Sequence, residues 1–210
     1  PPLKPAPYYS PRQDPFNQLS RYWIAESYFR DGKYADARST LMDLYNLSAL
    51  DGKREGDLIP YNIAYTFFKE EDYPAALKWF NNYLAGRHDV YGSDAETRIG
   101  DCYFFQKDYT TAIAAFERKL ADYPEADDIY PYFRAGVACG LVNDFPRKVR
   151  FLERVKQASP SAPYYSEAMY ELGRAYVSVG EEEDAVRTFR TLRSATDDPD
   201  YATKALLNWA

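Results

Sequence analysis

Residues 98–124 read RIGDCYFFQKDYTTAIAAFERKLADYP. Counted from Gly100, a tyrosine stands at +3 (Tyr103), an alanine at +12 (Ala112), a phenylalanine at +16 (Phe116) and a proline at +24 (Pro124). From Gly173 the same offsets reach Tyr176, Ala185 and Phe189, with a proline late at Pro199. From Ala64 they reach Phe67, Ala76 and Phe80, and from Ala25 they reach Tyr28, Ala37 and Leu41. Gly136 opens a weaker copy with Cys139, Lys148, Leu152 and Pro160. The origins at 25, 64, 100, 136 and 173 lie 39, 36, 36 and 37 residues apart. Residues 201–210, YATKALLNWA, resemble the opening helix of a sixth copy. An internal period of this length marks an array of stacked supersecondary units.

Each copy reads as two amphipathic helices. Positions −1, 0, +3 and +7 of the first are largely small or apolar, which is the spacing of one helical face. A polar break follows (RDGK, KEED, QKD, VND, VGEE), and in four copies an aromatic residue, Tyr34, Tyr73, Tyr109 or Phe145, then opens the second helix. Pro74 and Pro146 fall in its first turn, where a missing N–H costs nothing, and Pro124 and Pro160 stop it. Two helices can cross closely only over small residues. Gly or Ala at the origin and Ala at +12 are therefore expected at the crossing, with the larger +3 and +16 residues filling the space beside it. One pair cannot bury its apolar face alone, so neighbouring pairs must stack.

The chain of 210 residues is 46% hydrophobic, enough for a packed core. Its net charge of −6 argues against a nucleic-acid partner, because phosphate binding rests on clustered Lys and Arg. Cys102 and Cys139 both fall in predicted helices and read as buried free thiols. His88 is the sole histidine, so no zinc ligand set is expected, nor any other metal or cofactor. No apolar run reaches the length of a membrane span. Six prolines in the first fifteen residues mark 1–16 as an extended linker. The start at Pro1, without a methionine, reads as a piece of a longer chain.

IGDCY…AIAAF…P and LGRAY…AVRTF resemble the tetratricopeptide repeat, whose pattern is L-G-x2-Y…A-x3-F…P. The likeness runs over residues 17–210, through about five repeats and the start of a sixth. It departs from the family where a tryptophan is usual, four residues before each origin; Arg21, Pro60, Glu96, Tyr132 and Met169 stand there. The resemblance implies an all-α right-handed superhelix of antiparallel helix pairs. The longer period and endings such as SPSAPYYSEAMYELGRAY resemble tetratricopeptide proteins of the Gram-negative cell envelope. That likeness implies a periplasmic or outer-membrane-associated location, the alternative being cytoplasmic.

Members of the family bind a peptide or partner protein in a concave groove lined by the first helices. Carried onto this sequence, the groove positions are Tyr22, Trp23 and Glu26; Tyr61, Asn62 and Tyr65; Arg98 and Asp101; Phe133 and Arg134; and Tyr170 and Arg174. Tyr, Trp and Arg are the residue types enriched at binding hot spots. Arg98 and Arg134 share one register and are expected to fork onto a partner's carboxylate. Alternatively the aromatics pack between repeats and the arginines pair with Asp101 or Glu171. The five clamp positions of chaperone-tail binders fall on Tyr22, Glu26, Asn62, Asp94 and Arg98, and only two match, which rejects that ligand. Asp94, Asp101, Glu167 and Glu171 supply carboxylates for a glycan-active enzyme, but no phosphate loop, nucleophile elbow or metalloprotease motif accompanies them. The expected function is a non-catalytic protein-interaction scaffold. An architectural or oligomerisation spacer is the alternative, and further repeats of the same parent chain are expected against the apolar face of 201–210. The stretch LSALDGKREGDLIP (47–60) reads as a solvated loop, and the second-helix stretches KWFNNYL and ERKLADY as solvated surface.

Overall fold

A computed structural model of the chain describes residues 15–85, 89–124, 128–196 and 198–209. These residues form eleven α-helices and no strand. The chain divides into two compact units, residues 1–95 and 96–210. The first holds α1 (Pro15–Arg30), α2 (Tyr34–Asn46), α3 (Arg54–Lys69), α4 (Tyr73–Leu84) and the opening of α5 (Val90–Phe105). The second holds the rest of α5, then α6 (Tyr109–Asp122), α7 (Tyr130–Leu141), α8 (Phe145–Val155), α9 (Tyr165–Val179), α10 (Glu182–Ala195) and α11 (Pro199–Trp209). In the first unit α1 to α4 pack in sequence and α1 also touches α3; in the second, α6 to α11 pack in sequence, α7 also touches α9, and α9 touches α11. This is the all-α stack of helix pairs that the period predicts, with the origins 25, 64, 100, 136 and 173 on the odd-numbered helices. Of the expected linker, residues 1–14 lie outside the described residues, as does His88, and α1 begins at Pro15.

At the three glycine origins the helix backbone faces the +16 side chain head on. A Cβ on Gly100 would sit 2.4 Å from Cε1 of Phe116, one on Gly136 2.6 Å from Cδ2 of Leu152, and one on Gly173 2.5 Å from Cε1 of Phe189. The sequence reading set +16 beside the crossing; the structure sets it in the crossing. Ala37, Ala76, Ala112 and Ala185 at +12 are buried alongside. The fourth repeat has Lys148 there, and its stem runs along Gly140, where a Cβ would meet Cδ at 3.1 Å. Its ammonium pairs with Glu171.

The turn between the two helices is the same in every repeat. The residue at +7 takes the left-handed conformation: Gly32 (φ 76°), Glu71 (62°), Lys107 (64°), Asn143 (60°) and Gly180 (81°). The N–H at +8 then closes back onto the carbonyl at +3, from Lys33 to Tyr28 at 2.8 Å and likewise from Asp72, Asp108, Asp144 and Glu181 at 2.9–3.0 Å. This is the Schellman closure of a helix end. Asp72, Asp108 and Asp144 also cap the second helix, accepting from the N–H three residues on at 3.1–3.2 Å.

Two surface expectations are corrected. Residues 47–60 are a short turn followed by the first two turns of α3, and Leu50 within it is 1% exposed. Gly56 makes room for it, since a Cβ there would lie 2.1 Å from the Leu50 carbonyl oxygen. In ERKLADY, Lys119 is fully buried with its ammonium 3.7 Å from Asp128, and in KWFNNYL Tyr83 is buried too. Long side chains on these helices reach inward to the next pair.

Cys102 and Cys139 are free and buried as expected. Burial pushes their thiols up to about 12 and about 11 respectively. Because only the thiolate attacks, neither should react with Ellman's reagent at pH 8 in the native protein, whereas both should react in guanidinium. Gly100→Ala should lower the unfolding free energy by about 1–3 kcal/mol through overpacking, measured by urea titration. Adding Phe116→Leu should recover part of that loss, because the smaller side chain gives the new methyl room.

Candidate partner-binding surface

In the first unit the groove positions of α1 and α3 are tied together by polar side chains. Asn62 donates its amide to Tyr22 Oη at 2.9 Å and to the Glu26 carboxylate. The hydroxyls of Tyr61 and Tyr65 both donate to Asp94 at the start of α5, the former at 2.8 Å. Tyr61 and Tyr65 meet edge to face with centroids 4.9 Å apart, and Phe29 meets Tyr65 at 6.5 Å. These rings surround a cavity of about 200 Å³ lined by Glu26, Phe29, Leu41, Tyr61, Asn62 and Tyr65. Tyr22 is buried, but Trp23 is 52% exposed and stands edge-on to Tyr22 at 5.2 Å. Burial raises the Glu26 carboxyl above its ordinary value, and burial with the charge of Asp94 raises the Tyr61 hydroxyl.

In the second unit Asp101 is the centre. It is fully buried and accepts from Arg98 Nη1 at 2.6 Å, Tyr130 Oη at 2.9 Å and Arg134 Nε at 3.2 Å. The Arg134 guanidinium lies 3.8 Å over the Phe104 ring. Arg98 and Arg134 do fork onto one carboxylate, but it is the chain's own; the internal pairing is the alternative that the structure bears out. Burial raises the Asp101 carboxyl, although both arginines pull it down. Phe133 is buried and stacks on Tyr164 with centroids 5.2 Å apart. Tyr164 holds a left-handed φ of 65° and is exposed. A wider depression of about 660 Å³ opens between Arg98, Tyr130, Tyr164, Gln157 and Ser159. Tyr170 lies 6.1 Å from Phe189 and 6.0 Å from Tyr201. Arg174 is exposed and bonds Glu171 at 3.2 Å, which Lys148 also grips.

The groove register thus falls into three groups. Tyr22, Asp101 and Phe133 are interior. Asn62, Arg98, Arg134 and Arg174 are engaged by partners within the chain. Trp23, Glu26, Tyr61, Tyr65 and Tyr170 retain partly open faces. The carboxylates Asp94, Asp101 and Glu171 each hold hydrogen bonds inside the fold. Sequence reasoning missed Leu41 as a cavity wall and Tyr164 as an exposed ring. Leu41 carried a signal, being a leucine where three other repeats place phenylalanine; Tyr164 lies in an aperiodic turn and carried none. Among the described residues no cluster of His, Cys, Asp or Glu can hold a metal, and no helix is long and apolar enough to cross a membrane.

Residues 19–47 and 94–126 match the tetratricopeptide repeat model. The TPR repeat-containing protein YpiA of Bacillus subtilis (strain 168) is 21% identical over 178 residues, covering 85% of this chain and 40% of YpiA. The chain therefore spans well under half of that relative's length. Among solved structures, MamA from Desulfovibrio magneticus RS-1 superposes with a TM-score of 0.69 at 18% identity, covering 86% of this chain and 97% of that one. The apo form of RapI superposes at 0.78 with 13% identity, covering 91% of this chain and 58% of RapI. The period, the matched segments and this fold agree on tetratricopeptide repeats within the chain.

Asp101→Asn should lower stability by about 3 kcal/mol, because it leaves two arginines facing an uncharged group in a site from which water is largely shut out. Asp94→Asn should cost less, since the amide oxygen still accepts from the tyrosines. Urea titrations of the two variants side by side check the order.

Proposed function

We propose that the protein is a non-catalytic scaffold that binds an extended peptide or a partner's segment along the first-helix face. The observation that carries this is the open aromatic surface on α1 and α3. Phe29, Tyr61 and Tyr65 present ring area around a cavity and Trp23 is exposed on α1, while hydrogen bonds from Asn62, Tyr61 and Tyr65 fix the helices that bear them. Rigid rings offer contact area at little cost in conformational entropy, and a fixed frame removes the cost of ordering the site on binding. The style of the repeat endings favours an envelope location, with a cytoplasmic scaffold of the same fold as the alternative. Whole-protein partners belong to the same proposal.

Selection from a displayed library of random twelve-residue peptides tests it. Peptides that enrich on the wild-type chain should bind a Trp23→Ala/Phe29→Ala variant about tenfold more weakly or worse, the loss of one hot spot. Both proteins are first matched for helicity. Equal enrichment on the two would place the binding surface elsewhere, and no enrichment would remove the peptide-groove reading.

A further inference from the structure

The geometry points to a subsite for a cation: the cavity beside Glu26 takes the lysine or arginine side chain of a bound protein segment. This deepens the binding reading and rests on it. Leu41 forms one wall of the cavity. At +16 the second, third and fifth repeats carry Phe80, Phe116 and Phe189 and the fourth carries Leu152, so Leu41 is a shorter side chain at a position where three other repeats place a ring. Three aromatic side chains, Phe29, Tyr61 and Tyr65, wall the cavity with it.

The polar groups facing it are acceptors. Asn62 spends its amide protons on Tyr22 and Glu26. Glu26 brings a half-buried carboxylate, and among the described residues no basic side chain forms an ion pair with it. Arg30, one turn along α1, donates instead to the Glu26 backbone carbonyl at 3.4 Å. The hydroxyl protons of Tyr61 and Tyr65 go to Asp94. Charge complementarity chooses the occupant. An aliphatic side chain would cover a carboxylate already short of water without compensating it, and an anion would add repulsion. A lysine or arginine lays its methylene stem on the rings, sets its charge over their faces and meets Glu26 at the end. Burial raises the Glu26 carboxyl, while the Tyr22 hydroxyl and the charge of Arg30 act the other way.

The test is a nuclear magnetic resonance titration of the full chain with n-butylammonium, n-propylguanidinium and, as the uncharged control, n-butanol. The two cations should shift the Asn62 side-chain amide and the Tyr61 and Tyr65 ring signals saturably in the millimolar range, with butanol about tenfold weaker or worse. Glu26→Gln keeps an acceptor for Asn62 and should erase the preference for cations. Leu41→Phe restores the side chain of the other repeats, fills the cavity, and should abolish all three responses with helicity kept. Equal responses to butanol and butylammonium, no response to any probe, or a preference that survives in Glu26→Gln would overturn the assignment. Library peptides that need Trp23 and Phe29 but carry no basic residue would overturn it too, while leaving the scaffold reading in place.

Discussion

The close crossing within each helix pair governs the rest of the structure. A glycine or alanine at the origin lets the +16 side chain of the second helix lie directly on the first helix's backbone, with no Cβ between them at Gly100, Gly136 and Gly173. Interiors are packed to crystal-like density, so that contact fixes the distance and the angle of each pair. The other apolar positions follow from it. In the second unit, Phe116 with Ala112 and Ile113, and Phe189 with Ala185 and Leu192, lie in separate core clusters that take in side chains of the neighbouring pairs.

Pairs are joined to pairs by different means. Between first helices, hydrogen bonds and ion pairs (Asn62 to Glu26, Tyr61 and Tyr65 to Asp94, Arg134 and Tyr130 to Asp101) stand beside ring contacts such as Phe29 on Tyr65 and Arg134 over Phe104. The geometric demands of the polar contacts are strict, and burying such groups costs least where they are matched; Arg134 Nη2 is buried without a hydrogen-bond partner among the described residues. Not every position that the family uses to meet ligands is open here. Asp101 and its arginines serve assembly, while Trp23, Phe29 and the rim of the Glu26 cavity stay open.

The repeat, its register and the aromatic start of four second helices were legible because a close crossing admits very few residue types, whereas the start of α3 at Arg54 was not. A period of Gly or Ala with Tyr, Ala and Phe at fixed offsets has no competing explanation in helix geometry. The surface was harder to read. Whether Arg134 meets a ligand or Asp101 depends on which carboxylate lies across the next helix, and one-dimensional spacing does not carry that. Lys119 shows the same limit from the other side: its charge signals solvent, while its long stem lets the chain bury it beside Asp128. Leu41 was visible as a departure from the phenylalanine of three other repeats, but the cavity that it lines is formed by side chains from α1 and α3 that spacing alone does not bring together.

The left-handed residue at +7 divides the turns into two mechanical classes. At Gly32 and Gly180 the conformation is free of steric penalty. At Glu71, Lys107 and Asn143 a side chain is forced into it, at about 1 kcal/mol or somewhat more for Glu and Lys and less for Asn. All five turns are closed by the same hydrogen bond, so the identical shape is held under unequal tension. The three inner hairpins are loaded springs that their caps and crossings keep shut, and the first and last are relaxed.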